Sequence, residues 1–272
     1  MLMSDAATIR SNGLAMSSAN VIANYLRPYV SKIDVSYQWR FDEKTAAAVI
    51  GSTFDKDDSW YSKTIKLKKA LRKKLSGCKT NEDRVAIAQY FIADWGGVKT
   101  NSRLGPMVER FTALAQQGRS AFETMDLKGV SSWSKYVSLI LGWAPIYDSR
   151  VAYSINAICL MAGETKKFFP IPDGRSPRLN LLDVETLFLT SLIKSRGITL
   201  DVAQKKFSSH AKKQFHIPSD KTYCQYIKLL SDVANILALP QTECFKIEML
   251  LFSLAPTQVL PDFVKYVQTR CM

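Results

Sequence analysis

The sequence predicts an all-α fold, and three observations carry that prediction. Apolar residues recur at helical spacing through most of the chain. The segments end at glycines and polar caps, as in "AVIGS", "KLSG" and "DWGG". The one Asp-Gly pair, Asp173-Gly174, lies among prolines rather than between alternating strands.

Each element follows in order. "SSANVIANYLRPYV" opens on a serine cap and breaks near Pro28. "DEKTAAAVIGS" makes a short helix that stops at Gly51. "DDSWYSKTIKLKKALRKKLSG" carries acids at its start and bases at its end, which suits the helix dipole. "TNEDRVAIAQYFIADWGG" is capped at Thr80 or Asn81 and stops at Gly96-Gly97. "GPMVERFTALAQQG" follows, then a short helix, a tight turn at Gly129 and a helix from about Ser132. "SRVAYSINAICLMAG" is entered from Asp148 or Ser149. After the proline-rich stretch 170–177, four more helical segments complete the chain. The expected organisation is one helical unit over 1–272, with lobes at 1–79, 80–165 and 166–272 and a cleft between the first two.

Composition bounds function. The 272 residues carry 37 Lys+Arg against 24 Asp+Glu, a formal charge of +13, which favours a polyanionic partner through counterion release. Cysteines at 78, 159, 224, 244 and 271 form no CxxC pair, and the only histidines are His210 and His216. No metal site and no cofactor is therefore expected. The odd, scattered thiols and the polar start predict a cytoplasmic protein with no signal peptide. With no run of eighteen apolar residues, no membrane partner is expected either.

The chemistry concentrates in "DLKGVSSWSK" and the following "PIYDSRVAYSIN", residues 126–135 and 145–156. A glycine turn before a helix can present backbone N–H groups to a DNA phosphate. Gly129 supplies the turn, and Ser131, Ser132 and Ser134 can cap the helix or donate to phosphate. An ordinary packing corner explains the same turn, "DLKGVSSW". Lys135 lies early in an otherwise apolar helix, where an amine can act as a nucleophile. Asp148 occupies an N-cap position, from which a carboxylate can steady a sugar cation or orient a water. Their plain structural roles would be a surface lysine and a cap.

These two segments resemble the helix-hairpin-helix DNA glycosylase superfamily, nearest the bacterial 8-oxoguanine DNA glycosylase-like proteins. The resemblance spans about residues 80 to 160. It implies a hairpin that binds DNA backbone, a catalytic lysine at Lys135 and a catalytic aspartate at Asp148. Ser131 stands at the second turn glycine, and Arg150 where a histidine often follows the aspartate. The Lys135–Asp148 spacing is about one helical turn shorter than usual.

The implied function is a monomeric DNA N-glycosylase, with or without lyase activity, in base-excision repair or in antiviral defence against modified phage DNA. Its partner would be double-stranded DNA holding a damaged or modified base, flipped into a pocket between two helical lobes. The alternatives are a non-catalytic helical DNA-binding protein and a protein-interaction adaptor. From Lys63 to Lys74 there are seven basic residues and no acid. An apolar stripe at Leu67, Ala70 and Leu71 places them on the outer face, with Lys66, Lys69 and Lys73 as phosphate contacts alongside Arg150. A second basic patch is Lys205, Lys206, Lys212 and Lys213. Trp133, which flanks the turn, Trp95 and Trp39 are the candidates for the base pocket, since a flipped base is held between flat groups.

Overall fold

The computed structural model describes residues 17–99, 103–165, 167–172, 179, 183–188 and 215–271. The basic patch at 205–213 and the Asp173-Gly174 pair lie outside them. Among the described residues the regular structure is helical, and the one β contact is an isolated parallel bridge between Phe168 and His216. The all-α class therefore holds.

Local chemistry sets the helix ends. Helix α1 (Ser18–Val30) is capped by Ser17, whose hydroxyl accepts the Asn20 N–H, and runs through Pro28 instead of breaking there. A short α2 (Ile33–Ser36) leads to α3 (Glu43–Ile50), capped by Asp42. Helix α4 (Trp60–Gly77) is capped by Ser59, not by the acids before it. Helix α5 (Asn81–Gln89) is capped by Thr80 and continues as a π-turn, Tyr90–Trp95, that ends at the two glycines. Helix α6 (Leu104–Gln116) precedes the Gly129 turn, and α7 (Val130–Ile140) and α8 (Ser149–Met161) follow it. The C-terminal elements are α9 (Ser219–Ile236), α10 (Cys244–Leu254) and α11 (Leu260–Cys271).

Packing groups these helices differently from their order in sequence. Helices α3 to α7 pack among themselves. Helix α1 packs instead against α8, α9 and α10, while α8 also meets α11. The stretch 1–79 is thus divided: its first helix belongs with the C-terminal elements, and α2 touches α4, α10 and α1. Residues 241–269 form one helical stretch long and apolar enough to cross a membrane by length and composition, but 56% of its apolar window is buried within the protein.

Helix α4 corrects the expected outer basic face. Lys63 is 6% exposed and pairs with Glu43 at 2.9 Å. Lys74 donates to the Val49 carbonyl at 2.5 Å. Arg72 donates Nε–H to the Leu139 carbonyl at 2.9 Å and Nη2–H to that of Ser138 at 3.1 Å. A cation on the last carbonyls of α7 matches that helix's dipole. Lys66, Lys69 and Lys73 remain exposed.

Removing Arg72 leaves two partly buried carbonyls without their donor, a loss of about 1–3 kcal/mol. Arg72→Leu should lower unfolding stability in urea by that amount, and Lys73→Leu should leave it nearly unchanged. Equal effects from the two substitutions would contradict the assigned role of Arg72.

Candidate active site

The site is built around a buried crossover, residues 144–148, between α7 and α8. Buried loop backbone needs a partner for each polar group. Here side chains from three helices answer four of them, and the Ala144 N–H bonds the Leu141 carbonyl. Ser134 of α7 accepts the Tyr147 N–H at 3.1 Å and donates to the Val130 carbonyl at 2.6 Å. From α9, Tyr223 and Tyr226 donate their hydroxyls to the Pro145 and Ile146 carbonyls at 2.9 and 2.8 Å. From α10, Glu248 accepts the Ile146 N–H at 2.9 Å. The crossover delivers Asp148 to the N-cap of α8, where Oδ1 accepts the Arg150 N–H at 2.9 Å.

A cavity of about 450 Å³ opens beside this crossover, within the range of small-molecule sites. Lys135 and Ser131 of α7 line it, as do Asp148, Ser149 and Arg150. Trp95 to Lys99 form a second side, Tyr37 and Trp39 a third, and Glu248 and Phe252 of α10 a fourth. The aromatic wall is continuous. Trp39 meets Trp95 and Phe252 edge-on at 6.2 and 5.3 Å, and Trp95 stacks on Phe91 at 4.2 Å. The Trp39 indole donates to the Trp95 carbonyl at 3.0 Å. Trp95's own buried Nε1–H finds no acceptor among the described residues. The Arg150 guanidinium lies over Phe252 at 4.6 Å and Trp39 at 5.7 Å.

Lys135 is 4% exposed and donates to the Ser131 carbonyl at 2.7 Å. Its stem passes against Gly96. A Cβ there would sit 2.6 Å from Lys135 Cε and 2.8 Å from Cδ, so the glycine keeps the lysine's path open. Burial pushes the ammonium below the ordinary lysine range, against the attraction of Asp148 and Glu248. Glu248 is 6% exposed. Burial pushes its carboxyl up to about 6, opposed by Lys68 and the Ile146 N–H, with Asp148 adding to the rise and Lys135 opposing it.

Among the expected site residues, Lys135, Asp148, Arg150, Ser131, Trp95 and Trp39 come together around this cavity. Two expectations are corrected. Trp133 does not line it: the indole is 2% exposed, stacked on Phe111 at 5.0 Å and against Tyr223 at 4.7 Å. Ser134 is fully buried and spent on the crossover, so it is not a DNA contact.

Gly129 forms the turn at φ 70°, a left-handed conformation that favours glycine. Asp126 takes the Lys128 N–H at 2.6 Å and the Ser219 hydroxyl at 3.0 Å, so one amide of the turn is already bound. Ser132 is half-buried beside it. Lys66, Lys69 and Lys73 lie on α4 and do not line the cavity; Lys73 borders a separate shallow depression with Val49 and Cys78. Among the described residues no group of three His, Cys, Asp or Glu is placed to hold a metal ion.

Glu248 and Phe252 escaped the sequence reading. Their signal was a lone acid in the apolar "CFKIEMLLFSLA", four residues before an aromatic and so on the same helix face. No protein family model matches the chain, and no curated protein or solved structure is significantly similar to it.

Glu248 makes stability depend on pH. Its carboxyl titrates at about 6 when folded and near 4.5 otherwise, so the folded protein holds that proton more tightly. The contribution is fully present below the lower value and is lost as pH rises through the upper one. The gap corresponds to about 2 kcal/mol. Glu248→Gln keeps an acceptor for Ile146 and removes the titration. Relative to wild type, the variant should gain about that much stability in urea across the window. A difference that stays flat with pH would contradict the burial of an ionisable Glu248.

Proposed function

We propose that the chain is a DNA N-glycosylase that excises a damaged or modified base through Lys135 and Asp148. The observation that carries this reading is the buried Lys135 amine, shifted toward its neutral form, opening into a cavity shared with a helix-capping carboxylate. A neutral amine is the nucleophilic form of lysine. A surface lysine held only for solubility would need neither the burial nor the clearance that Gly96 provides.

On this reading each group has a part in the reaction. The base leaves the stack and enters the cavity, where Trp39, Trp95 and Phe252 offer apolar and aromatic surface. Lys135 Nζ attacks C1′ as the bond from C1′ to the base breaks, and the electron pair departs with the base. Asp148, fixed at the mouth of α8, steadies the positive charge that develops on the sugar. Arg150, braced over two rings beside the cap, is suited to a flanking phosphate. The net charge of +13 supplies long-range attraction for duplex DNA, with Lys66, Lys69 and Lys73 as further phosphate contacts. Opening of the sugar would leave a Schiff base on Lys135, and so a lyase activity. The protein acts as a monomer on this reading.

The test is to incubate the protein with duplexes carrying oxidised, alkylated or otherwise modified bases, and with phage DNA, and to identify released bases by mass spectrometry. Wild type should release one class of base and be trapped on DNA by borohydride. Asp148→Asn keeps the cap's shape but should slow excision by roughly 10²- to 10⁴-fold with binding retained. Lys135→Gln should abolish trapping. Absence of released base from every substrate, or full activity of Asp148→Asn, would overturn the reading. DNA binding without excision would leave the non-catalytic alternative in its place.

A further inference from the structure

Glu248 lies on the cavity wall contributed by α10, one helical turn before Phe252, while Lys135 enters from α7. Both side chains are more than nine-tenths buried. The Ile146 N–H occupies one lone pair of the Glu248 carboxylate. A carboxylate has about four such sites, so others remain for a proton or a ligand in the cavity. Asp148 is differently employed: it caps α8 and, on the reading above, faces the sugar. A lysine that enters the reaction as an ammonium must lose a proton before it can attack, and the departing base must gain one. The described groups bordering the cavity include one carboxylate not yet used for either task.

We propose that Glu248 is the proton-transfer group of this site, taking a proton from the Lys135 ammonium and returning it to the leaving group. The inference rests on the lysine-nucleophile reading given above. In the first step Lys135–NH₃⁺ and Glu248–COO⁻ become Lys135–NH₂ and Glu248–COOH, the proton passing through a water in the cavity they share. In the second the amine lone pair forms the bond to C1′, the bond from C1′ to the base breaks, and the departing electron pair takes the proton from Glu248. The carboxylate is regenerated, the base leaves neutral, and the positive charge rests on the nitrogen now bonded to the sugar.

The surroundings fit a group that cycles between its two forms near neutral pH. Lys68 reaches Glu248 electrostatically from α4, Lys135 from α7 and Asp148 from the cap of α8. Tyr37, Tyr223 and Tyr226 face it from the α2 segment and from α9, and burial holds all three phenols protonated. Two cations and one anion thus act on one buried acid, whose midpoint of about 6 leaves it mostly ionised at neutral pH yet easily protonated. Lys68 does not line the cavity, so it tunes the acid from behind.

The test uses a duplex with a single abasic site, which removes any need to know the excised base. There the same proton leaves Lys135, and Glu248 returns it to the sugar hydroxyl lost as water when the iminium forms. Cyanoborohydride then reduces that iminium. Single-turnover trapping is measured between about pH 5 and pH 9. Wild type should show an acid limb with a midpoint near 6. Glu248→Gln should lose that limb and slow by roughly 10²-fold or more, its rate climbing only at alkaline pH. Lys68→Met should keep the maximal rate and move the limb to higher pH, since the acid loses the cation that lowers its midpoint. A limb that stays in place in Lys68→Met would overturn the proposal even if Glu248→Gln fails to fold. So would a wild-type rate and profile in Glu248→Gln while Lys135→Gln is not trapped, and that pattern would leave the nucleophile reading standing. Equal trapping of Lys135→Gln and wild type would instead remove the nucleophile, and this proposal with it.

Discussion

The structure depends on a loop that runs through the core. Residues 144–148 are buried up to Tyr147, and a buried loop survives only if its amides and carbonyls are answered from nearby. Ser134, Tyr223, Tyr226 and Glu248 answer them from three helices. Tyr147 adds a bond of its own, donating its hydroxyl to the Pro170 carbonyl at 2.7 Å. Because α7, α9 and α10 converge on this one loop, they place Lys135, Asp148 and Glu248 around a single space. The polar groups that hold the crossover and the groups that line the cavity overlap in one residue, Glu248.

That overlap has an energetic consequence. A buried carboxylate is costly unless it is bonded and near opposite charge. Glu248 has the Ile146 N–H and the fields of Lys68 and Lys135, and its carboxyl still rises to about 6. Lys135 bears the complementary strain: one hydrogen bond to the Ser131 carbonyl and a depressed ammonium. A fold selected for stability alone would place apolar residues at both positions. Keeping an amine and two carboxylates around a partly enclosed, aromatic-walled space is an arrangement suited to chemistry.

Much of this was legible in the sequence, for local reasons. Caps at Thr80 and Asp148 act within three residues of themselves, and the glycines at 51, 96 and 129 end or turn the chain where they stand. Asp148 is legible because an N-cap is a pattern of neighbours, and Lys135 because a single charge breaks an apolar helix. What escaped depends on partners far away in sequence. Ser134 looks like a surface serine of a turn until Tyr147 arrives thirteen residues later. Trp133 flanks the turn yet points into the core, because Phe111 and Tyr223 are waiting there. The basic residues of α4 read as one solvated face opposite an apolar stripe, but Lys63, Arg72 and Lys74 each meet an acceptor from another element. Glu248 acts on Lys135 across 113 positions of sequence, and periodicity carries no information at that range.

Burial shifts the Lys135 amine toward its neutral, reactive form, beside a carboxylate that shares its cavity. An NMR titration of lysine side chains, with Lys135 assigned by substitution, measures this directly. The account predicts that Lys135 titrates below the ordinary value of 10.5, and lower still in Asp148→Asn, where the attraction of that carboxylate is gone. Titration of Lys135 at or above 10.5, unmoved by the loss of Asp148, would contradict it.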